Sequence, residues 1–283
     1  MRIIRFFHSD GTAHTGVREG DKVRDLGQHD SIAPITKEQL EAAPLVDVDD
    51  STLDVPLATV PKILALAGNY RKHIVESGFS DSVKGVWTPQ IFWKPSTALL
   101  RHGGSVSLRK KNIFFDWEAE LAVVIGKTAR DVAAADALDY VLGYCVTNDL
   151  SERKYNSDIE GRDKREVDTF FDWLMGKWFD GSAPLGPELV TKDEVPDPDN
   201  LGIRLLLNGE TMQESNTGNM IFKIGDTIAA LSAVMTLQRG DIIAMGTPEG
   251  VGFARGRALK PGDHMRAEID GLGSLDTFVT EGA

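Results

Sequence analysis

The sequence predicts an α+β fold that is mainly β, on three observations. Apolar runs of strand length recur along the chain between Gly, Pro, Asn and Asp; few segments show helical spacing; and the β-α-β-α rhythm of a doubly wound sheet is missing. No G-x-G-x-x-G or phosphate-loop motif opens a helix. With 283 residues, the chain has room for one large domain and a small appendage.

The elements follow in order. Residues 1–58 read as a small β-rich N-terminal domain. Strands are expected at 3–7, 12–17 and 22–25, because Ser9-Asp10-Gly11 and Glu19-Gly20-Asp21 are turn sequences. A short helix is expected within 36–43, and the acidic stretch Val46-Asp47-Val48-Asp49-Asp50-Ser51 reads as a linker. The main domain, 59–283, opens with an apolar strand at 63–67 that stops at Gly68-Asn69-Tyr70, and 71–76 has the character of a helix start. Residues 78–89 mix Gly, Ser, Asp and Pro without a period, as a mobile loop or lid does. Further strands are expected at 90–93, 121–125, 142–147, 203–207, 241–245 and 264–269, with a hairpin at Asn208-Gly209-Glu210. Ile228, Leu231 and Met235, spaced i, i+3, i+7, predict a helix over 227–235.

Composition narrows the function classes. Hydrophobic residues at 41% and charged residues at 26% belong to an ordinary globular protein. No stretch reaches the ~20 apolar residues of a bilayer-crossing helix, so no membrane partner is expected. The N-terminus runs from Phe7 into Ser9-Asp10-Gly11 without the apolar region of a signal peptide. A formal charge of −12 argues against nucleic acid. The single cysteine, Cys145, cannot form an internal disulfide; its apolar surroundings predict a small buried side chain and suit a reducing cytoplasm.

Asp116-Trp117-Glu118-Ala119-Glu120 leads into Leu121-Ala122-Val123-Val124-Ile125, and a second apolar run, from Leu142 to Val146, ends in Asn148-Asp149. Strand residues two apart point the same way, so Glu118 and Glu120 project from one face. Such carboxylates beside a buried strand repel each other unless a positive charge stands between them. A divalent cation answers that problem, with Asp149 completing the set. Separately, His73 and Glu76 lie three apart, on one face if that turn is helical. A carboxylate beside an imidazole raises its basicity and fixes its orientation, as general base chemistry requires.

Five segments occur in a fixed order: Asn69-Tyr70-x-x-His73; Pro89-x-x-Phe92-x-Lys94-Pro95; Asp116-x-Glu118-x-Glu120-Leu121; Gly143-Tyr144-x-x-x-Asn148-Asp149-x-Ser151-x-Arg153; and Gly240-Asp241-Ile242-Ile243-x-x-Gly246-Thr247-Pro248-x-Gly250-Val251-Gly252. Together they resemble the fumarylacetoacetate hydrolase superfamily, in its single-chain acylpyruvase-like branch. The resemblance implies a mixed β-roll catalytic domain behind the small N-terminal domain, assembled as a homodimer. It implies Mg²⁺ or Mn²⁺ (with Ca²⁺ as a substitute in crystals) held by Glu118, Glu120 and Asp149, and an α-keto acid substrate that chelates the ion. The chemistry expected is hydrolysis of a C–C bond in a 2,4-diketo acid, with the enolate product stabilised by the metal and water activated by His73 and Glu76. An oxaloacetate-type decarboxylase or a hydroxydienoate isomerase would use the same platform.

The resemblance also gives Lys177, in Gly176-Lys177-Trp178-Phe179-Asp180, a role beside substrate or developing negative charge. Tyr70, Arg153, Asn156, Gly246 and Thr247 are expected to contact substrate, Thr247 through its hydroxyl or backbone N–H. Three departures surround the substrate: Asn156 where many relatives carry Gln, a longer segment at 157–175 containing Phe170, Phe171 and Trp173, and Gly181 where Thr is common.

Overall fold

The computed structural model describes residues 1–78, 88–108, 114–155 and 161–282. The expected loop at 78–89 lies almost wholly outside the described residues, and so do Asn156 and the start of the 157–175 segment.

Strands β1 (Arg2–Phe7), β2 (Ala13–Glu19) and β3 (Lys22–Asp25) form the antiparallel meander that the two turn sequences call for. Helix α1 (Lys37–Ala42) starts where Thr36 and Gln39 cap each other reciprocally. The acidic stretch expected as a linker is ordered: β4 (Leu45–Val46) pairs with β3, Asp49 caps a short 3-10 turn, and β5 (Leu53–Asp54) pairs with β1.

The rest of the chain supplies β6 (Ile63–Ala67), helix α2 (Arg71–Glu76), β7 (Gln90–Lys94), β8 (Leu99–Leu100), β9 (Gly104–Leu108), β10 (Phe115–Asp116), β11 (Ala119–Ile125), β12 (Val141–Asn148) and β13 (Ser151–Glu152). Then come helix α3 (Asp168–Met175), β14 (Ala183–Thr191), β15 (Gly202–Leu207), β16 (Glu210–Asn216), helix α4 (Ile224–Val234), β17 (Ile242–Ala244), helix α5 (Gly252–Arg255), β18 (His264–Ile269) and β19 (Gly273–Glu281). Two large sheets organise most of them, and β10 pairs with β13 by itself. The larger runs β4-β3-β2-β1-β14-β12-β11-β17-β6-β7, and the smaller runs β16-β15-β18-β19-β9. The N-terminal meander therefore continues the main sheet through the β1–β14 pairing. The mainly β, mixed architecture is the one the sequence predicts.

Alternation along β11 explains its continuous apolar run. Leu121, Val123 and Ile125 face the core shared with Ile203, Leu205, Met265 and Ala267 of the smaller sheet. Ala122 and Val124 face the opposite core, with Ile3, Val17, Ile32, Leu57 and Ile63. A strand covered on both sides has no polar face to show. Cys145 is fully buried in this second core, as expected.

Several elements lay beyond the sequence reading. β14 contains Pro184, Gly186 and Pro187, which disguise a strand as a loop. β9 and β19 alternate buried with exposed residues, but the glycine buried in β9 and the buried Thr277 beside the exposed Phe278 in β19 mask the period. Among the described residues, no helix is long and apolar enough to cross a membrane.

Candidate active site

Register brings the three carboxylates together. β11 and β12 run antiparallel with Ala119 opposite Asn148 and Glu120 opposite Thr147. Just past that pairing, the Asp149 N–H donates to the Glu118 carbonyl at 2.8 Å. Glu118, Glu120 and Asp149 thus project from one face, buried, each with a potential ligand oxygen within 4.8 Å of the others. β11 begins at Ala119, two residues before the expected 121–125, so Glu120 lies in the strand and Glu118 one residue before it; the side-chain oxygen of Asn148 accepts the Glu118 N–H at 2.8 Å.

Three cations surround this cluster, Lys94 and Lys177 buried and Arg153 partly exposed. Lys177 Nζ donates to Glu118 Oε2 at 2.7 Å and to Asp149 Oδ2 at 2.6 Å. Lys94 Nζ donates to Asp149 Oδ1 at 2.5 Å. Arg153 pairs with Glu118 Oε1 and donates from Nε to Asp116 Oδ2 at 2.8 Å. Asp116 in turn accepts the backbone N–H groups of Trp117, Gly252 and Phe253 at 2.8, 2.6 and 3.0 Å, which fixes the guanidinium's partner in place. The rings of Phe92 and Trp173 stand 5.2 and 5.8 Å from Lys177 Nζ and help close this side.

Glu118 and Glu120 differ in their surroundings. Burial works to raise the Glu118 carboxyl, but Arg153, Lys177 and His73 together outweigh it and hold the group below the usual range. Glu120 has no cation within salt-bridge distance among the described residues, and it accepts the Gly246 N–H at 2.7 Å. Burial, then Asp149 and Glu118, push its carboxyl well above the usual range. An all-oxygen set containing one uncompensated buried carboxylate fits a hard divalent ion such as Mg²⁺ or Mn²⁺.

The dyad forms as the spacing predicts. Helix α2 carries His73 and Glu76 on one face, with Nδ1 2.8 Å from Glu76 Oε1. Glu76 Oε2 accepts the Gly250 N–H at 2.8 Å. Asn69, just before the helix, donates to the Met245 carbonyl at 2.7 Å and accepts the Phe222 N–H at 2.8 Å. Tyr70 is buried at the helix start; its hydroxyl has no hydrogen-bond partner among the described residues. Burial, with Glu120 next in effect, raises that phenol above its usual range.

The loop after β17 holds both halves of the site. Gly246 has φ +84°, and a Cβ there would come within 2.7 Å of Asn69 Cβ, so only glycine suits this approach. The Thr247 hydroxyl donates to the Ala119 carbonyl at 2.9 Å and accepts from Gln213 Nε2 at 2.8 Å. Gln213 also donates to the Pro248 carbonyl at 2.8 Å and accepts the Ala119 N–H at 3.0 Å. Arg153 and Thr247, expected near substrate, here bind carboxylates and backbone. Lys94, Asp116 and Gln213 received no role from sequence. Lys94 and Asp116 stood inside two of the five ordered segments, whereas Gln213 lies in a strand with no signal to single it out.

The C-terminal domain model of fumarylacetoacetate (FAA) hydrolase matches residues 62–280. The chain belongs to the fumarylacetoacetate hydrolase family. A mitochondrial oxaloacetate tautomerase of Xenopus laevis is 36% identical over 300 aligned positions, covering 99% of this chain and 90% of the relative. The crystal structure of 5-carboxymethyl-2-hydroxymuconate delta-isomerase from Mycobacterium smegmatis superposes with a TM-score of 0.81 at 29% identity, with both chains covered in full. Fumarylpyruvate hydrolase from Pseudomonas aeruginosa, crystallised with Mn²⁺ and pyruvate, gives a TM-score of 0.66 at 31% identity, covering 81% of this chain and 91% of that one. The family thus includes hydrolases, isomerases and tautomerases, and its fold agrees with the two-sheet arrangement described above.

Proposed function

We propose that this protein is a divalent-metal-dependent hydrolase that cleaves a C–C bond in a 2,4-diketo acid of the acylpyruvate type. The observation that carries the reading is the His73–Glu76 pair, anchored by Gly250 on the loop that also holds Glu120. Glu118, Glu120 and Asp149 would hold Mg²⁺ or Mn²⁺, which when bound supplies Lewis-acid stabilisation of negative charge on a carbonyl oxygen.

The remaining steps belong to the chain's own residues. With Nδ1 facing Glu76, His73 keeps Nε2 to take a proton from the water that attacks the carbonyl remote from the carboxylate. Glu76 holds the imidazole in orientation and stabilises the charge it gains. Lys177 offers an ammonium group where negative charge develops. Cleavage releases a carboxylic acid and the enolate of an α-keto acid, and a proton returned from His73 to the enolate carbon gives pyruvate when that acid is unsubstituted. Tyr70, Gly246, Thr247, Arg153 and Asn156 are assigned to substrate binding in this reading. A homodimer is part of the same proposal, supported by the exposed Trp93, Phe170, Phe171 and Trp178 on and around α3 and the edge strand β7.

The tautomerase relative in Xenopus favours a second reading, in which the same dyad moves a proton within an oxaloacetate-like acid without cleaving it. Decarboxylation of such an acid and isomerisation of a hydroxydienoate are further outcomes on the same platform. A substrate panel with Mn²⁺ separates them. Pyruvate and a carboxylic acid in equal amounts from an acylpyruvate, with one oxygen from labelled water in the carboxylic acid, support hydrolysis. Interconversion of keto and enol oxaloacetate with no acylpyruvate cleavage would replace the hydrolase by the tautomerase.

A further inference from the structure

We infer that the β1–β2 hairpin carries a second metal site, for a transition ion of the Zn²⁺ class, made of His8, Asp10 and His14 and oriented by Asp25. The placement follows from register. His14 on β2 lies opposite Phe6 on β1, so His8, two residues beyond Phe6, shares that face diagonally from His14. Asp25 on β3 faces Gly16, two residues from His14, and reaches the same face from the other side. Asp10 lies in the turn between β1 and β2. In the structure His8, Asp10 and His14 each offer a ligand atom within 4.8 Å of the others.

His14 is already oriented as a metal-binding histidine is, and His8 must turn out of its stack to join it. Asp25 takes His14 Nδ1 with both oxygens, at 2.9 and 3.0 Å, which leaves Nε2 as the lone-pair nitrogen. His8 Nδ1 lies 3.3 Å from Asp10 Oδ1, and the two imidazoles stack with centroids 4.7 Å apart and planes 3° from parallel. Asp10 Oδ1 accepts from the Thr12 N–H and hydroxyl at 2.9 and 2.6 Å, which holds the carboxylate over the turn and keeps Oδ2 for an ion.

Ligands around a tetrahedral ion stand roughly 3.4 Å apart, so the group must contract. His14 is the fixed wall, packed edge-on against Phe6 at 5.8 Å and tied to Asp25. His8 and Asp10 are the moving parts, with side chains 44% and 58% exposed. Two imidazoles and one carboxylate select Zn²⁺, Ni²⁺ or Cu²⁺ over Mg²⁺, whereas the buried all-carboxylate cluster has the opposite preference. The ion would tie the hairpin turn to His14 of β2, which Asp25 holds to β3.

The test uses the full chain with saturating Mg²⁺ and Zn²⁺ alone as the probe, by equilibrium dialysis. The wild type is expected to bind one more Zn²⁺ than either His8→Gln or His14→Gln. Asp25→Asn is expected to keep that ion with affinity lowered roughly 10- to 100-fold. His8 lies on the surface, so His8→Gln reads binding without a folding question; far-ultraviolet circular dichroism confirms that His14→Gln is folded. Equal Zn²⁺ stoichiometry and affinity in wild type and His8→Gln would overturn the proposal, even if His14→Gln bound less.

Discussion

Glu76 accepts the backbone N–H of Gly250 at 2.8 Å, and that bond joins helix α2 to a loop far along the chain. Four residues earlier, the same loop donates the Gly246 N–H to Glu120. One short segment therefore sets the spacing between the imidazole's carboxylate partner and the carboxylate cluster. Catalysis that needs a proton acceptor at a fixed distance from an ion benefits from such a shared support.

Glu76→Gln tests the dyad. Glutamine keeps an oxygen that can accept the Gly250 N–H, but it removes the charge beside His73. In the proposed mechanism kcat falls about 10²- to 10⁴-fold, with KM and Mn²⁺ affinity much less affected. Steady-state kinetics beside a Mn²⁺ titration check this. A variant with unchanged kcat would show that His73 does not depend on the Glu76 charge.

Glu118 and Glu120, two residues apart, are expected to respond oppositely to the same substitution in metal-free protein. Glu118 compensates Lys177 and Arg153, so Glu118→Gln leaves buried positive charge under-paired and costs about 3 kcal/mol. Glu120 has no such partner, so Glu120→Gln relieves a buried repulsion and leaves the melting temperature unchanged or raised. Both variants lose activity dependent on Mg²⁺ or Mn²⁺. Calorimetry with EDTA present separates the pair, and equal destabilisation by both would contradict the charge assignment.

The Glu118–Glu120 half of the carboxylate cluster was legible in the sequence because its logic is local: acids spaced by two, beside an apolar run, have only strand periodicity to obey, whereas Asp149 joins them through the β11–β12 register. The His73–Glu76 pair was legible for the same reason, at helical spacing. What escaped were partners brought in from far along the chain. Gln213 reaches Ala119 from the smaller sheet, and Lys94 reaches Asp149 from an edge strand; neither contact has a trace in local spacing. β14 escaped because its prolines speak against a strand, although its neighbours β1 and β12 bind it on both sides. Arg153 was expected beside substrate, and its salt bridges with Asp116 and Glu118 depend on a fold that sequence spacing does not reveal.

The raised carboxyl of Glu120 gives the metal-free protein a pH signature. Between the ordinary glutamate value of 4.5 and its raised value in the fold, Glu120 stays protonated when folded and ionises on unfolding. The folded state then binds more protons, so this group's contribution to stability falls as pH rises through that window. With EDTA present, the melting temperature of Glu120→Gln minus that of wild type should therefore grow from pH 4.5 upward. A difference that shrinks with rising pH would mean that Glu120 is paired in the fold.

Gln213 offers the most specific test of how the two sheets cooperate at the site. Its side chain joins the Ala119 N–H of β11 to Thr247 and Pro248, the residues between the glycines that hold Glu120 and Glu76. Gln213→Met keeps the volume and deletes those bonds, which orphans the buried Ala119 N–H and the Pro248 carbonyl. Two unsatisfied buried groups cost about 2–4 kcal/mol, visible as a lower melting temperature. If the loop positions the carboxylates, Mn²⁺ affinity and kcat should also fall, by roughly tenfold each for about 1.4 kcal/mol of lost positioning. Mn²⁺ binding followed by electron paramagnetic resonance distinguishes the two effects. A variant that melts early yet binds Mn²⁺ and turns over like wild type would confine Gln213 to stability and leave the loop to hold the site alone.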